Sequence, residues 1–270
     1  SFLSSLLAGG GDAKALAATV TSVLVYPIKS CRGISVPQAP ITATGFRWDR
    51  QWMLVNSKGR GCTQRVEPKL ALIQPRSLLL SECATIYDVS VWEWSGSAYD
   101  EGPEAAEAWF STFLGNPTRL VRFKEESETR LTDPDYARGY KVMFSDGFPF
   151  LITSQGSLDA LNEKLEEPVP INRFRPNILV EGCHPYAEDL WKTIKINKLT
   201  FRGVKLCGRC KKYRSGEVLL PSHKNKRQVY FGQNAVCKES LSANGEGRII
   251  KVGDPVYVTQ SFSSSGEVPA

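Results

Sequence analysis

The sequence predicts a strand-rich, mixed α/β protein with few helices. Short runs of β-branched and aromatic residues recur along the chain and are broken by Gly, Pro and Asn turns. Only two stretches carry helical spacing. Strands and helices do not alternate regularly, which argues against a doubly wound parallel sheet. A chain of 270 residues suffices for one large domain or two small ones.

Taken in order, residues 1–19 hold glycines and many alanines and predict a tail leading into a weak helix or extended segment. Residues 22–27 form a strand ended by Pro27. Prolines 37 and 40 mark 36–42 as an edge piece. A strand over 51–55, the turn Asn56-Ser57-Lys58-Gly59 and a return strand at 62–64 suggest a hairpin. An apolar piece at 70–73 follows, and 78–80 and 86–92 are further strand candidates. Residues 103–113 place Ala106, Trp109, Phe110 and Phe113 on one helical face, stopped by Gly115-Asn116-Pro117. A strand at 120–123 closes the first region, and an acidic loop reaches about Lys141.

The second region opens with a strand over 148–153. Ser154 reads as a helix cap, Leu158, Leu161 and Leu165 give the helix its apolar face, and Pro168 ends it. Strands follow at 177–181, 190–196, 199–204, 229–235 and 249–258, the last containing a turn at 251–256, and a polar tail ends the chain.

Composition narrows the function. Hydrophobic residues at 41% and charged residues at 23% suit a folded soluble protein. A net charge of +6 fits an anionic ligand or an acidic partner. The one dense basic run, His223-Lys224-Asn225-Lys226-Arg227, is too short to suggest nucleic acid. Seven cysteines, an odd number in a chain too large to need staples, predict a reducing compartment and a free thiol. Two histidines, His184 and His223, argue against a His-rich metal site and leave triad chemistry only if His184 is the base. No apolar run reaches the length of a membrane span. Residues 1–7 make a poor signal peptide, and a first residue of Ser rather than Met leaves room for an anchor or targeting segment ahead of it.

Chemistry concentrates between residues 172 and 212. Arg173, Arg175 and Asn177 stand at one end, and the forked guanidinium suits phosphate or carboxylate. At the other end stands Cys207-Gly208-Arg209-Cys210-Lys211-Lys212. The cysteine pair could be structural, a redox pair or half a zinc site, although no second pair exists. Arg209, Lys211, Lys212 and Arg214 favour a thiolate at Cys210, which would serve as a soft metal ligand or nucleophile. Ser154, Gln155 and Ser157 begin a helix whose free N–H groups can hold a phosphate or simply be capped. Lys29, Ser30 and Arg50 offer a third wall. Together these residues suggest an anionic organic cofactor beside a thiolate.

The ordered motifs resemble the MOSC-domain proteins, in particular the family of the mitochondrial amidoxime-reducing component and its plant relatives. The resemblance rests on Tyr26-Pro27-Ile28-Lys29-Ser30-Cys31-Arg32-Gly33, Asp49-Arg50-Gln51-Trp52 and Thr63-Gln64-Arg65-Val66-Glu67-Pro68. It continues through Phe150-Leu151-Ile152-Thr153-Ser154, Phe174-Arg175-Pro176-Asn177, Ala187-Glu188-Asp189-Leu190-Trp191, Cys207-Gly208-Arg209-Cys210, Phe231-Gly232-Gln233-Asn234 and Val252-Gly253-Asp254-Pro255-Val256. It implies an N-terminal β-barrel domain over 20–123 packed against a MOSC β-barrel domain over 124–260. A molybdenum cofactor (molybdenum-molybdopterin) would lie between them. Cys210 would ligate the metal and be the catalytic residue. Lys29, Ser30, Arg50, Ser154, Gln155, Ser157, Arg175, Asn177 and Arg209 would contact the cofactor.

The implied activity is reduction of small N-hydroxylated substrates, amidoximes and hydroxylamines. Electrons would come from NADH through cytochrome b5 reductase and cytochrome b5, and the chain has no dinucleotide fingerprint of its own. The implied location is mitochondrial, at the outer membrane given an anchor and cytoplasmic without one. MOSC domains also end molybdenum cofactor sulfurases, which brings an association with pyridoxal phosphate binding. The pyridoxal-phosphate domain that makes the persulfide is absent here, which leaves a cofactor or sulfur carrier, or an inactive shortened form, as alternatives. The chain is shorter than the family pattern between Cys210 and Tyr213 and between Pro75 and Val89; the first gap would open the wall beside the metal thiolate.

Overall fold

The fold is described from a computed structural model, which covers residues 16–75, 85–100, 104–208, 230–242, 248–264 and 266–269. The strands are β1 (Leu16–Val25), β2 (Ile34–Val36), β3 (Gln38–Thr42), β4 (Gly45–Phe46), β5 (Trp52–Asn56), β6 (Thr85–Val91), β7 (Trp94–Asp100), β8 (Thr118–Phe123), β9 (Arg130–Leu131), β10 (Lys141–Val142), β11 (Phe150–Ser154), β12 (Ile178–Glu181), β13 (Trp191–Ile196), β14 (Leu199–Leu206), β15 (Gln233–Cys237), β16 (Ile249–Lys251) and β17 (Pro255–Ser261). The α-helices are α1 (Glu104–Leu114), the single turn α2 (Pro134–Ala137) and α3 (Gln155–Asn162). The expectation of a strand-rich mixed fold with few helices holds.

One sheet closes into a barrel. Its order is β12-β11-β15-β14-β13-β17-β1-β2, and a further β12–β1 pairing joins the ends. The N-terminal strand β1 is therefore the closing stave: Val23 faces Ile178 on one side and Ala18 faces Val256 on the other. Alternating residues of these strands fill the interior, and Phe150 meets Phe46 and Phe201 edge-to-face at 5.1 and 5.3 Å. β11 and β12 run parallel, and α3 lies in the connection between them.

The expectation of two barrels, one per region, is corrected. The sheet β5-β8-β7-β6 stays open, as does the small sheet β16-β3-β4. The open sheet needs no closure because both its faces are covered. Trp52 and Leu54 pack with Leu70, Phe110 and Leu114 on one side, while Met53 and Val55 pack with Val89, Phe123, Met143 and Phe144 on the other. This explains why β5 is buried at four successive positions rather than alternately.

Other differences have local causes. The return strand expected at 62–64 does not form, because the Thr63 carbonyl accepts from the amides of Val66 (2.9 Å) and Glu67 (2.8 Å) and makes a turn. The apolar piece after it is a 3-10 turn, Pro68–Leu72, with Pro at its start. The last two strands are not partners: β16 pairs with β3 and β17 with β1 and β13. Gly253, at φ 90, makes the bend that sends the chain from the small sheet to the barrel. The strand candidate at 78–80 and the dense basic run at 223–227 lie outside the described residues.

Candidate functional site

A cleft of about 360 Å³ opens where the barrel meets the open sheet. Lys29 and Ser30 reach it from the turn after β1, Arg50 from the turn before β5, and Arg175 and Asn177 from the segment entering β12. Five cationic side chains, Lys29, Arg50, Arg65, Arg173 and Arg175, line it. Asp146 is the one carboxylate in the same lining among the described residues.

Three of these residues are held in the left-handed backbone region: Ser30 at φ 73, Arg50 at φ 50 and Arg175 at φ 60. Non-glycine residues avoid this region, and the strain persists only where the surroundings over-determine it. Here they do. The Arg175 guanidinium donates to the Ser30 carbonyl and, at 2.8 Å, to that of Cys31. The Arg50 guanidinium donates to the Arg175 carbonyl at 3.1 Å and to the Asp49 carboxylate at 2.5 Å. It also lies 4.3 Å from the centre of the Tyr26 ring. Asp49 in turn accepts from the Tyr26 amide at 2.8 Å. The two regions are therefore laced together through the backbones of the residues that line the cleft.

Burial shapes the electrostatics. Asp49 is 1% exposed, and burial raises its carboxyl above the ordinary range against the opposing pull of Arg50. Burial likewise pushes the Cys31 thiol up to about 12 beside Arg175, so Cys31 is a neutral packing residue rather than a nucleophile. Lys29 is 3% exposed and donates to the Phe144 carbonyl at 2.7 Å and to Asp146. Asn177 uses its side chain inside the barrel wall, accepting from the Leu151 amide and donating to the Leu24 carbonyl, both at 3.3 Å.

Ser154, Gln155 and Ser157 are at another place. Ser154 caps α3, as expected, by accepting from the Ser157 amide at 3.1 Å. The acceptor at this terminus is internal. Glu188, fully buried, accepts from the Ser154 amide at 3.0 Å and from the Ser154 and Ser157 hydroxyls at 2.9 Å each. Its carboxyl is raised by burial, which outweighs the hydroxyl and amide donors. The Gln155 amide donates to Asp159 at 2.7 Å. None of the three lines the cleft.

Cys207 lines the cleft and is buried, with its amide donating to Gly232 at 2.9 Å and its carbonyl accepting from Phe231 at 3.0 Å. Arg209 and Cys210 lie outside the described residues. Among the described residues no cluster of three or more His, Cys, Asp or Glu side chains gathers for a metal, and Cys31, Cys62, Cys183 and Cys237 are free thiols. Sequence reasoning assigned no site role to Arg65, Asp146 or Trp92, which also line the cleft. Arg65 sits in a stretch the resemblance quotes, whereas Trp92 had no sequence signal beyond its place near a strand end.

Two family models match the chain. The MOSC N-terminal beta barrel domain matches residues 17–117 and the MOSC domain residues 139–257. Mitochondrial amidoxime reducing component 2 of Bos taurus is 34% identical, over 88% of this chain and 82% of that protein. Mitochondrial amidoxime-reducing component 1 of Homo sapiens is 33% identical, over 89% and 82%. Molybdenum cofactor sulfurase of Oryza sativa subsp. japonica is 30% identical over 87% of this chain but only 35% of its own length. The bovine alignment runs over 287 positions, more than the 270 residues here, so that relative carries stretches with no counterpart in this chain. Neither matched model is a pyridoxal-phosphate domain, and nothing supports binding of that cofactor.

Proposed function

We propose, from the premise that the chain belongs to the MOSC-domain family related to the mitochondrial amidoxime-reducing component, that it is an oxidoreductase of N-oxygenated compounds that uses a molybdenum pterin cofactor. The observation that carries this reading is the cleft with its five cations and three left-handed residues. The donor chemistry fits a phosphorylated pterin, which needs cations and a water-poor, preorganised wall. Lys29, Ser30, Arg50 and Arg175 would hold it, with Asn177 fixing the wall and Arg209 adding charge. Ser154 and Ser157, through Glu188, would position the segment before β13 rather than touch the ligand. Gln155 would hold the first turn of α3.

Cys210 would be the metal ligand and the catalytic residue. Cys207 lines the cleft, and three residues of chain span at most about 11 Å. When bound, the cofactor would supply the two electrons that, with two protons, cleave an N–O bond, the oxygen leaving as water and the nitrogen as the amidine or amine. The residues of the chain bind, orient and exclude water; the buried carboxyls Asp49 and Glu188 keep the cationic and hydroxyl groups in register. The domain division at 20–123 and 124–260, electron delivery by cytochrome b5 and its NADH-dependent reductase, and a mitochondrial location belong to the same reading. The curated relatives' names carry the location, and the net charge of +6 fits an acidic haem partner. Among the described residues no helix is long and apolar enough to cross a membrane.

The test is molybdenum and pterin analysis of the purified chain made in a cofactor-competent host, beside Cys210→Ser. Molybdenum near one per chain that the variant loses, followed by amidoxime reduction with cytochrome b5 and its reductase, supports the enzyme. A folded chain with neither molybdenum nor pterin sinks it and favours a shortened, inactive form.

A further inference from the structure

The turn joining β6 to β7 runs against local preference. Val91 pairs with Trp94, so Trp92 and Glu93 are the whole loop. Two-residue hairpin loops favour Gly, Asn or Asp, because their central residues take positive φ. Here a tryptophan sits at φ 55. The tip is not slack. Ser90 donates to the Gly59 carbonyl at 2.9 Å and accepts from the Gly61 amide at 2.8 Å. At Gly59, φ +69, a Cβ would come 2.4 Å from the Asp88 carbonyl oxygen, so the two turns are in close contact.

The fold does not need this indole for its core. Trp94, two residues on, packs on Phe123 and Phe144 at 5.4 and 6.2 Å and anchors the hairpin. Trp92 lines the cleft and is 42% exposed, whereas Lys29 and Arg175 are 3% and 6% exposed. The cations that would hold an anion are thus deep, and the indole is at the open lip. The Arg65 guanidinium lies 4.7 Å and the Lys29 ammonium 5.7 Å from its ring centre, which fixes the ring's orientation.

We propose that Trp92 is the stacking platform for the organic part of the substrate, and that the cleft selects planar, conjugated, uncharged N-hydroxylated compounds over aliphatic ones. This rests on the reading of the chain as a reductase of N-oxygenated compounds and narrows its substrate class. A rigid aromatic at a cleft lip, held in a backbone conformation it disfavours, is a feature kept for contact. An aromatic amidoxime is flat and neutral and offers a ring that can lie on the indole face, which an aliphatic one lacks.

The experiment is calorimetric titration of benzamidoxime and of acetamidoxime into wild type, Trp92→Phe and Trp92→Gly, with molybdenum and pterin assayed on each preparation. Glycine suits φ 55, so Trp92→Gly should keep the thermal midpoint of wild type. Wild type should bind the aromatic ligand roughly tenfold more tightly than the aliphatic one. Trp92→Gly should lose that preference and Trp92→Phe keep most of it, at unchanged cofactor content. An absent preference in wild type, an intact preference in Trp92→Gly, or an equal loss for both ligands overturns the proposal. So does loss of molybdenum or pterin in Trp92→Gly, which would make Trp92 part of the cofactor's support. A wild type without molybdenum that still shows the preference fails the functional reading alone, so the two failures are distinguishable.

Discussion

Two parts of this molecule have the ingredients of an anion site, and only one of them lines a cleft. At the cleft, Lys29, Arg50 and Arg175 converge from three segments. At the start of α3, Ser154 and Ser157 offer hydroxyl and amide donors beside a helix terminus, but Glu188 has already filled that place. Donor chemistry alone therefore does not make a ligand site. What differs is where the acceptors sit: at the cleft, Asp49, Asp146 and backbone carbonyls hold the cations around an open volume, whereas at the start of α3 the acceptor, 31 to 34 residues further along the chain, occupies the helix terminus itself.

The cleft side of the comparison should break most easily. Asp49→Ala leaves the Arg50 guanidinium, 12% exposed, without its carboxylate, and should cost about 3–5 kcal/mol in chemical denaturation. A loss under about 1 kcal/mol would mean that the Asp49–Arg50 pair does not brace the cleft. At the helix side, Glu188→Ala leaves the Ser154 and Ser157 hydroxyls without their acceptor and should cost about 1–3 kcal/mol. Glu188→Gln should cost far less, since an amide oxygen still accepts.

The same carboxyl gives a pH signature. Burial raises Glu188 above its ordinary 4.5, so the native state holds its proton more tightly than the unfolded chain. Its contribution to stability is then fully present below that ordinary value and is lost as pH rises toward the raised one. The stability of wild type relative to Glu188→Gln should fall on going from acidic to neutral pH. A difference that stays flat would show that Glu188 does not titrate in this window. The smallest effect is expected at Ser30→Gly, which relieves the strain at φ 73 and should gain up to about 1 kcal/mol. A loss there would mean that the Ser30 hydroxyl, rather than its carbonyl, supports the fold.

The same contrast marks how much was legible in the sequence. Features fixed by near neighbours were readable: α1 and its stop at Gly115, the Ser154 cap of α3, and the two strands at 190–196 and 199–204 that become β13 and β14. Features fixed by distant pairing were not. β1 closes the barrel against β12 across 158 residues, as the Thr21–Leu179 bond shows, and no local period encodes such a partner. β7, short of apolar residues at Ser95, Gly96 and Ser97, gave no strand signal yet pairs along its whole length with β6. Lys29, Ser30, Arg50, Arg175 and Asn177, which line the cleft, could be singled out in the sequence because they fall in the motifs that carry the family resemblance. The left-handed backbones of Ser30, Arg50 and Arg175, the capture of α3 by Glu188 and the placing of Trp92 could not, because each depends on what the folded chain brings alongside.

The most direct measurement is the molybdenum and pterin content per chain of Lys29→Met beside Ser157→Ala, both first shown to be folded by thermal unfolding. Loss of cofactor from Lys29→Met with retention in Ser157→Ala is the predicted result, because Lys29 lines the cleft and Ser157 does not. Retention in Lys29→Met with loss from Ser157→Ala would contradict the account and move the anion site to the helix terminus.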